Sequence, residues 1–389
     1  MKTLNQEFAV NFAYKVYFTE KLFEKSNLIF ANIFSPNPSF LPKALVLIDS
    51  GVYHAHPNLV SQIQEYFAHY ANTLPMLVHD PVEILGGELV KNDISHLDKV
   101  YGLIEKYKIC RHSYIIVIGG GAVIDMVGYA ASTSHRGIKL IRIPTTVLSQ
   151  NDSGIGVKNS INFFGKKNFL GCFSPPFAVL NDFTFLKTLD KRDWIAGIAE
   201  AVKVALIKDK DFFNFIEENA FSFRDQNNME PMKHLIYACA ELHLNHIGKY
   251  GDPFEKGSSR PLDFGHWAAH KLEHLTNHNL RHGEAVAIGI ALDTTYSYIS
   301  GLLDEQSWKR VLRTISNIGF DLFVPELNED IFKGLEEFQE HLGGNLTIML
   351  LEKIGCGKEV NTVDISQYRI AIEKLKNFAE KLNENREAI

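Results

Sequence analysis

Three imidazoles, one carboxylate and one ammonium in the second half of the chain are the residues best suited to chemistry. His266 and His270 lie four residues apart in Phe264-Gly-His-Trp-Ala-Ala-His270, and a third imidazole opens His282-Gly-Glu284. Upstream, Glu200 and Lys203 sit at i and i+3 in Ala199-Glu-Ala-Val-Lys203, a segment that reads as a helix. Imidazoles gathered with a carboxylate suit a divalent ion of the zinc type, held by three protein groups with one position open to a substrate oxygen. Each residue also has an ordinary reading. A helical histidine is commonly structural, and Glu with Lys at i and i+3 commonly forms an exposed ion pair. The apolar neighbours Ile198, Ala199, Ala201, Val202 and Val204 weigh against exposure, because charges in such a segment need partners.

The first half carries nucleotide and anion chemistry. Tyr114-Ile-Ile-Val-Ile118 runs straight into Gly119-Gly120-Gly121, and a helix begins near Val123. Such a turn lets a backbone approach a pyrophosphate at a helix N-terminus, although a plain tight turn fits equally well. Asp49 ends an apolar run and could bond an adenosine ribose or simply cap a helix; Asp125 lies inside the glycine-opened helix, where a surface acid is common. Thr145 and Thr146 follow a strand and aim hydroxyls at its carboxyl edge, where α/β ligands bind. The stretches Asp152 to Lys158 and Gly165-Lys-Lys-Asn168 combine small residues with ammonium groups, which suits phosphate or a solvated polar loop.

Two domains must position these groups, since 389 residues exceed one ordinary core. Strand patterns at 44–49, 76–79, 114–118 and 139–143 alternate with helical patterns at 57–72, 92–108 and from about 123. This alternation predicts an open α/β sheet. Residues 1–45, with a Ser-Pro-Asn-Pro loop at 35–38, predict an entry hairpin or short strands. Strand signals fade after about 185, and long helical patterns follow, with one more strand at 346–350. The expected organisation is a Rossmann-like domain over 1–187 and an all-helical domain over 188–389, with the active site in the cleft between them.

Composition narrows the class further. Hydrophobic residues at 46% and charged residues at 22% describe a soluble globular protein, and a net charge of −6 offers no basic field for nucleic acid. No apolar run is long enough for a bilayer, and the N-terminus lacks a signal peptide's pattern. The four cysteines form no CxxC pair, so neither a disulfide scaffold nor a cysteine zinc site is expected. The expected location is cytoplasmic.

Taken in order, the motifs resemble the dehydroquinate synthase family, the sugar phosphate cyclases. The resemblance spans roughly 44–300 and rests on GGGAVIDMVGYAAST at 119–133, IPTTVLSQNDSGIGVKNSIN at 143–162, KNFLG at 167–171, GIAEAVK at 197–203, FGHWAAH at 264–270 and HGEAVAIG at 282–289. It implies a metal, zinc or cobalt, on Glu200, His266 and His282. It implies NAD contacts at Asp49, Glu88, Lys91, Gly119, Gly120, Gly121, Asp125, Thr145, Thr146, Lys167 and Thr188. Catalytic and substrate contacts are implied at Asp152, Lys158, Asn168, Lys203, Arg260 and His270, and Arg136 matches an arginine lent across a homodimer interface. The implied chemistry is transient oxidation of a secondary alcohol by NAD, loss of phosphate, return of the hydride and intramolecular aldol closure to a carbocycle. NAD is regenerated, so the net reaction is that of a lyase.

Three departures from dehydroquinate synthase concern anion binding. Asp263 stands where that enzyme carries Asn, Asn245 where it has a lysine helping to hold the substrate carboxylate (a shifted alignment would put Lys249 there instead), and Glu340-His-Leu-Gly-Gly344 where it has an Asp-Lys-Lys segment. Like charges about 4 Å apart cost roughly 4 kcal/mol at an effective dielectric of ~20, so an added carboxylate opposes a doubly anionic substrate. An acid at this position also resembles cyclases acting on sedoheptulose 7-phosphate, which has no carboxylate, although those cyclases generally carry proline where this chain has His270. The segments around Asp263 and Glu340 are similar to the dehydroquinate-synthase-like cyclases of bacterial Ebo gene clusters. Three alternatives stand beside a cyclase with an unfamiliar substrate: authentic dehydroquinate synthase, a metal-dependent glycerol or alcohol dehydrogenase, and a binding protein that lost turnover.

Overall fold

The computed structural model describes residues 2–35, 40–249, 254, 261–277, 279–341, 344 and 346–387. Arg260 therefore lies outside the described residues, as do Leu342 and Gly343 and most of the Ser-Pro-Asn-Pro loop. The chain divides into two compact units: Met1–Pro144 with Gly156–Asp182, and Thr145–Ile155 with Phe183–Ile389.

The first unit is built on a seven-stranded parallel sheet. Its strands are β1 (Lys15–Thr19), β2 (Lys43–Asp49), β3 (Met76–Leu77), β4 (Val82–Ile84), β5 (Tyr114–Gly119), β6 (Lys139–Pro144) and β9 (Ala178–Asp182). The order is β1-β9-β6-β5-β2-β3, with β4 pairing the far end of β2. All six residues of β5 are buried, as expected of a parallel strand covered on both faces. The connecting helices are α1 (Ile29–Asn32), α2 (Ser50–Ala55), α3 (Leu59–His69), α4 (Ile94–Tyr107) and α5 (Gly121–Thr133). The alternating strand and helix pattern thus yields the anticipated open α/β sheet. β1 forms no hairpin; it lies parallel to β9, Lys15 opposite Ala178, so its partner could not be read locally.

The region after residue 155, whose composition suits phosphate or a solvated polar loop, folds largely into strands. β7 (Lys158–Phe163) and β8 (Lys166–Phe173) form an antiparallel hairpin. A fully buried guanidinium anchors it: Arg142 on β6 donates to Gly156 O (2.7 Å), Lys158 O (3.0 Å) and Asn159 Oδ1 (2.7 Å). A methyl group on Gly128 of α5 would stand 1.8 Å from Asn159 Oδ1.

The second unit is helical, apart from the hairpin of β10 (Ile348–Lys353) and β11 (Cys356–Val360), whose first strand the pattern at 346–350 announces. Its helices are α6 (Lys191–Ala196), α7 (Ile198–Lys208), α8 (Lys210–Glu218), α9 (Met229–Gly248), α10 (His266–Leu275), α11 (His282–Ile299), α12 (Glu305–Ile318), α13 (Lys333–His341) and α14 (Ile365–Glu387). Every position from Ile198 to Ile207 is buried, which makes α7 an interior helix rather than an amphipathic one. α11 is also buried along nearly its whole length.

Gly128→Ala should displace Asn159 and strip a partner from Arg142, costing about 1–3 kcal/mol as overpacking does. Urea denaturation measures this, and an unchanged midpoint would show that the hairpin anchor tolerates the methyl group.

Candidate active site

The apolar sequence around Glu200 makes α7 an interior helix and brings the carboxylate inside with it. Glu200 is 1% exposed, and its Oε1 lies 3.4 Å from Nε2 of both His266 and His282. These histidines are the first residues of α10 and α11. One ligand atom from each of the three groups lies within 4.8 Å of the others.

The outer nitrogens are used elsewhere. Nδ1 of His266 is 3.2 Å from Phe264 O, and Nδ1 of His282 is 3.2 Å from Oε2 of the buried Glu273. A carbonyl only accepts, so the Phe264 contact places the His266 proton on Nδ1 and a lone pair on Nε2. Glu200 Oε1, the oxygen facing both imidazoles, receives no hydrogen bond of good geometry. Imidazole lone pairs facing a buried carboxylate repel it unless a cation stands between them. The donor set therefore fits a divalent ion, with Phe264 O and Glu273 orienting the imidazoles from behind.

Glycines set the approach of these helices. Gly265 has φ +77°, and a Cβ there would stand 2.6 Å from Ile290 N. A Cβ on Gly283 would stand 1.8 Å from Ala196 O. Glu284, the acid beside His282, does not join the triad. It accepts the Arg281 backbone N–H at 2.8 Å and a two-pronged bond from Arg192, holding the start of α11.

Lys203 and Asp152 extend the polar cluster. Lys203 Nζ pairs with Glu200 Oε2. Burial alone would lower the ammonium's pKa, but Glu200, Asp152 and then Asp263 hold it above the ordinary lysine value. Burial likewise opposes ionisation of Glu200, and the Lys203 ammonium is the foremost group that outweighs it, leaving the carboxyl well below its usual range. Asp152 lies in a π-type turn (Ser149–Ser153), with Oδ1 2.8 Å from Nδ1 of buried His243. That imidazole overcomes burial and lowers the Asp152 pKa. Nearby Cys239 is driven the other way, its thiol pushed well above the ordinary value by burial and by Asp152. His270 is exposed on α10, its ring 6.1 Å from that of His282. Asp263 is half-buried in a short 3-10 turn before α10.

The remaining candidates form a second constellation in the first unit. Buried Lys91 reaches Asp125 Oδ2 (2.8 Å), Ser160 Oγ (3.2 Å) and Asn168 Oδ1. Asn168 donates its backbone N–H to Asn162 Oδ1 (2.8 Å), and Asn162 donates to Glu88 Oε1 (3.0 Å). Asp49 caps α2 through the Gly51 N–H at 2.8 Å, and burial raises its carboxyl pKa. A Cβ on Gly119 would come within 3.0 Å of Asp49 Cβ. Gly120, the N-cap of α5, has no side chain to occupy the helix's first N–H groups, which suits a pyrophosphate there, while Asp49 accepts from the Gly120 N–H itself. Lys158 is exposed at the start of β7, and Lys167 is half-buried on β8. Arg136 is exposed in a left-handed turn after α5.

Thr145, Thr146 and Thr188 belong to the second unit. Thr145 is buried, Thr146 bonds Ser149 at 2.8 Å, and Thr188 is exposed, with its hydroxyl donating to Phe185 O at 3.1 Å. Asn245 is half-buried and Lys249 exposed on or beside α9, whereas His243 is the residue of that segment facing Asp152. Sequence reasoning gave no role to His243, Ser160 or Asn162. The buried face of α9, with Cys239 and His243 at i and i+4, is the one local signal that could have singled out His243.

Comparison with known proteins identifies the wider group. Residues 81–196 match the family profile described as 3-dehydroquinate synthase N-terminal, and residues 197–338 match its C-terminal counterpart. The 3-dehydroquinate synthase of Shewanella frigidimarina (strain NCIMB 400) is 31% identical over 346 residues, covering 88% of this chain and 91% of that protein. Among solved structures, the 2-epi-5-epi-valiolone synthase ValA of Streptomyces hygroscopicus subsp. jinggangensis 5008, with NAD+ and Zn2+ bound, matches with a TM-score of 0.86. It is 28% identical, and the match covers 96% of this chain and 99% of that one. A 2-deoxy-scyllo-inosose synthase complexed with carbaglucose-6-phosphate, NAD+ and Co2+ shares the fold, at TM-score 0.74 and 24% identity over 92% of this chain and 96% of that one. The fold and these matches define an enzyme of the sugar phosphate cyclase class. The chain belongs to the 3-dehydroquinate synthase family. No helix among the described residues is long and apolar enough to cross a membrane.

If the triad holds the ion, His282→Ala should abolish stoichiometric Co2+ or Zn2+ uptake in equilibrium dialysis while circular dichroism stays native. Full uptake by the variant would remove His282 from the ligand set.

Proposed function

We propose that this enzyme uses NAD and a divalent metal, zinc or cobalt, to convert a phosphorylated heptulose without a carboxylate into a carbocycle, eliminating phosphate. Glu200, His266 and His282 would hold the ion. The turn Gly119-Gly120-Gly121, Asp49 and the Lys91 network with Glu88 and Asp125 would hold the dinucleotide, and Lys167, Thr145, Thr146 and Thr188 are its further proposed contacts. NAD+ and Zn2+ bound in the ValA structure support the use of both cofactors. When bound, NAD supplies a reversible hydride acceptor and the ion supplies Lewis acidity.

The protein's own groups bind and orient. Lys203 carries a charge secured by Glu200 and Asp152, which suits donation to a substrate oxygen. Asp152, steadied by His243, would receive substrate hydroxyls, and His270 stands exposed beside the triad to contact the sugar. Lys158, Asn168 and Arg260 are the proposed contacts for the remaining anionic and hydroxyl groups. Arg136 is proposed to reach a neighbouring copy in a homodimer.

The charge around Lys203 carries the substrate choice: Glu200 pairs with its ammonium, and Asp152 and Asp263 are further negative groups that raise its pKa. A substrate carboxylate would enter a cluster already rich in negative charge. A hydroxyl would instead find acceptors.

The test is phosphate release from sedoheptulose 7-phosphate and from 3-deoxy-arabino-heptulosonate 7-phosphate, each with NAD and Zn2+ or Co2+. Release from the former with little from the latter is expected, and net NADH from simple polyols without phosphate release would overturn the cyclase reading. Asp263→Asn should raise kcat/KM for the heptulosonate by roughly tenfold or more, within the limit of about 4 kcal/mol for close like charges. Unchanged kcat/KM would show that charge at 263 does not select the substrate.

A further inference from the structure

Asp293 on α11 is a carboxylate with no exposed surface, and no part of the proposed reaction uses it. Three groups donate to it. Trp267 Nε1 (3.0 Å) and the Tyr368 hydroxyl (2.8 Å) share Oδ1, and the Gly265 backbone N–H (3.1 Å) goes to Oδ2. Trp267 and Gly265 flank His266 in the chain, and Tyr368 comes from α14. A buried carboxylate is costly compared with an apolar side chain, so packing alone does not account for an acid here. Its distinctive contribution is an acceptor for Gly265, whose left-handed turn launches α10 and aims His266 at Glu200.

The opposite side of that turn is fixed by main chain. A Cβ on Gly289 would stand 2.0 Å from Gly265 O, so the entrance of α10 rests directly on α11. Gly265 is thus gripped through its carbonyl side by α11 backbone and through its N–H by Asp293.

We propose that Asp293 is a positioning residue for the metal site: by holding the Gly265 N–H it sets the direction of the His266 imidazole, and it acts through that peptide rather than by touching the ion. This rests on the metal reading given above. Asp293→Asn separates the roles of the two oxygens. The amide oxygen can still accept from Trp267 and Tyr368, while the amide nitrogen turns a donor toward the Gly265 N–H. Tyr368→Phe does the reverse, removing the hydroxyl and keeping the Gly265 bond.

Co2+ affinity of the whole chain is measured by competition with a chromophoric chelator, together with the visible absorption of the Co2+ form and thermal unfolding of the metal-free protein. Asp293→Asn is expected to weaken binding by roughly 10–100-fold, as loss of an outer contact typically does, and to change the Co2+ spectrum. Tyr368→Phe is expected to keep the spectrum and bind within about threefold of the parent, even if its unfolding temperature falls as a lost buried hydrogen bond predicts. Asp293→Ala removes the acceptor without adding a donor; it should show the same loss and serves if the amide variant fails to fold. Parent-like affinity and spectrum in both Asp293 variants would overturn the proposal, as would losses at Asp293 and Tyr368 that simply track thermal stability. Failure of the unsubstituted protein to take up Co2+ would overturn the metal reading itself.

Discussion

A carboxylate buried within an apolar helix is the constraint from which the second unit is organised. Glu200 cannot shed its charge cheaply and cannot reach water, so its surroundings must compensate it. Lys203 does so from the same helix, one turn away, and the two imidazoles at the starts of α10 and α11 complete a site where a cation would do the rest. Removing Lys203 would leave an uncompensated anion in the core. The geometry of the site is therefore coupled to the stability of the unit that carries it.

The helices meet at this point because small residues permit it. Gly265 and Gly289 bring α10 onto α11, and Gly283 lets α11 pass the carbonyl of Ala196. Behind each imidazole stands a second group, Phe264 O or Glu273, that fixes which nitrogen faces inward. Charge compensation, backbone approach and imidazole orientation are three separate devices acting on the same few atoms.

Much of this was legible in the sequence. The uninterrupted apolar run at 114–118 and the glycines after it read correctly as a buried strand entering a helix, because burial on both faces leaves a continuous signature. Glu200 and Lys203 stood out because their neighbours were too apolar for a surface pair. What stayed hidden depends on partners distant in the chain. The β7–β8 hairpin carried no strand signal because its Gly, Lys and Asn residues suit a phosphate site or a polar loop, and it is pinned by Arg142, a residue buried in β6. His243 carries no local mark of its pairing with Asp152, some ninety residues earlier in the chain. Asp293 likewise looks like an ordinary helical acid until Trp267 and Tyr368 are seen to converge on it.

The close contact of Gly265 with Gly289 also bears on how such an enzyme can diverge. Where two helices touch through main chain, their separation does not depend on the identity of surrounding side chains. Replacements at Asp263, His243 or His270 can then accumulate without changing the spacing of His266 and His282. A lineage that keeps these glycines can vary the residues around the site one at a time while main-chain contact holds the two helices at a fixed separation.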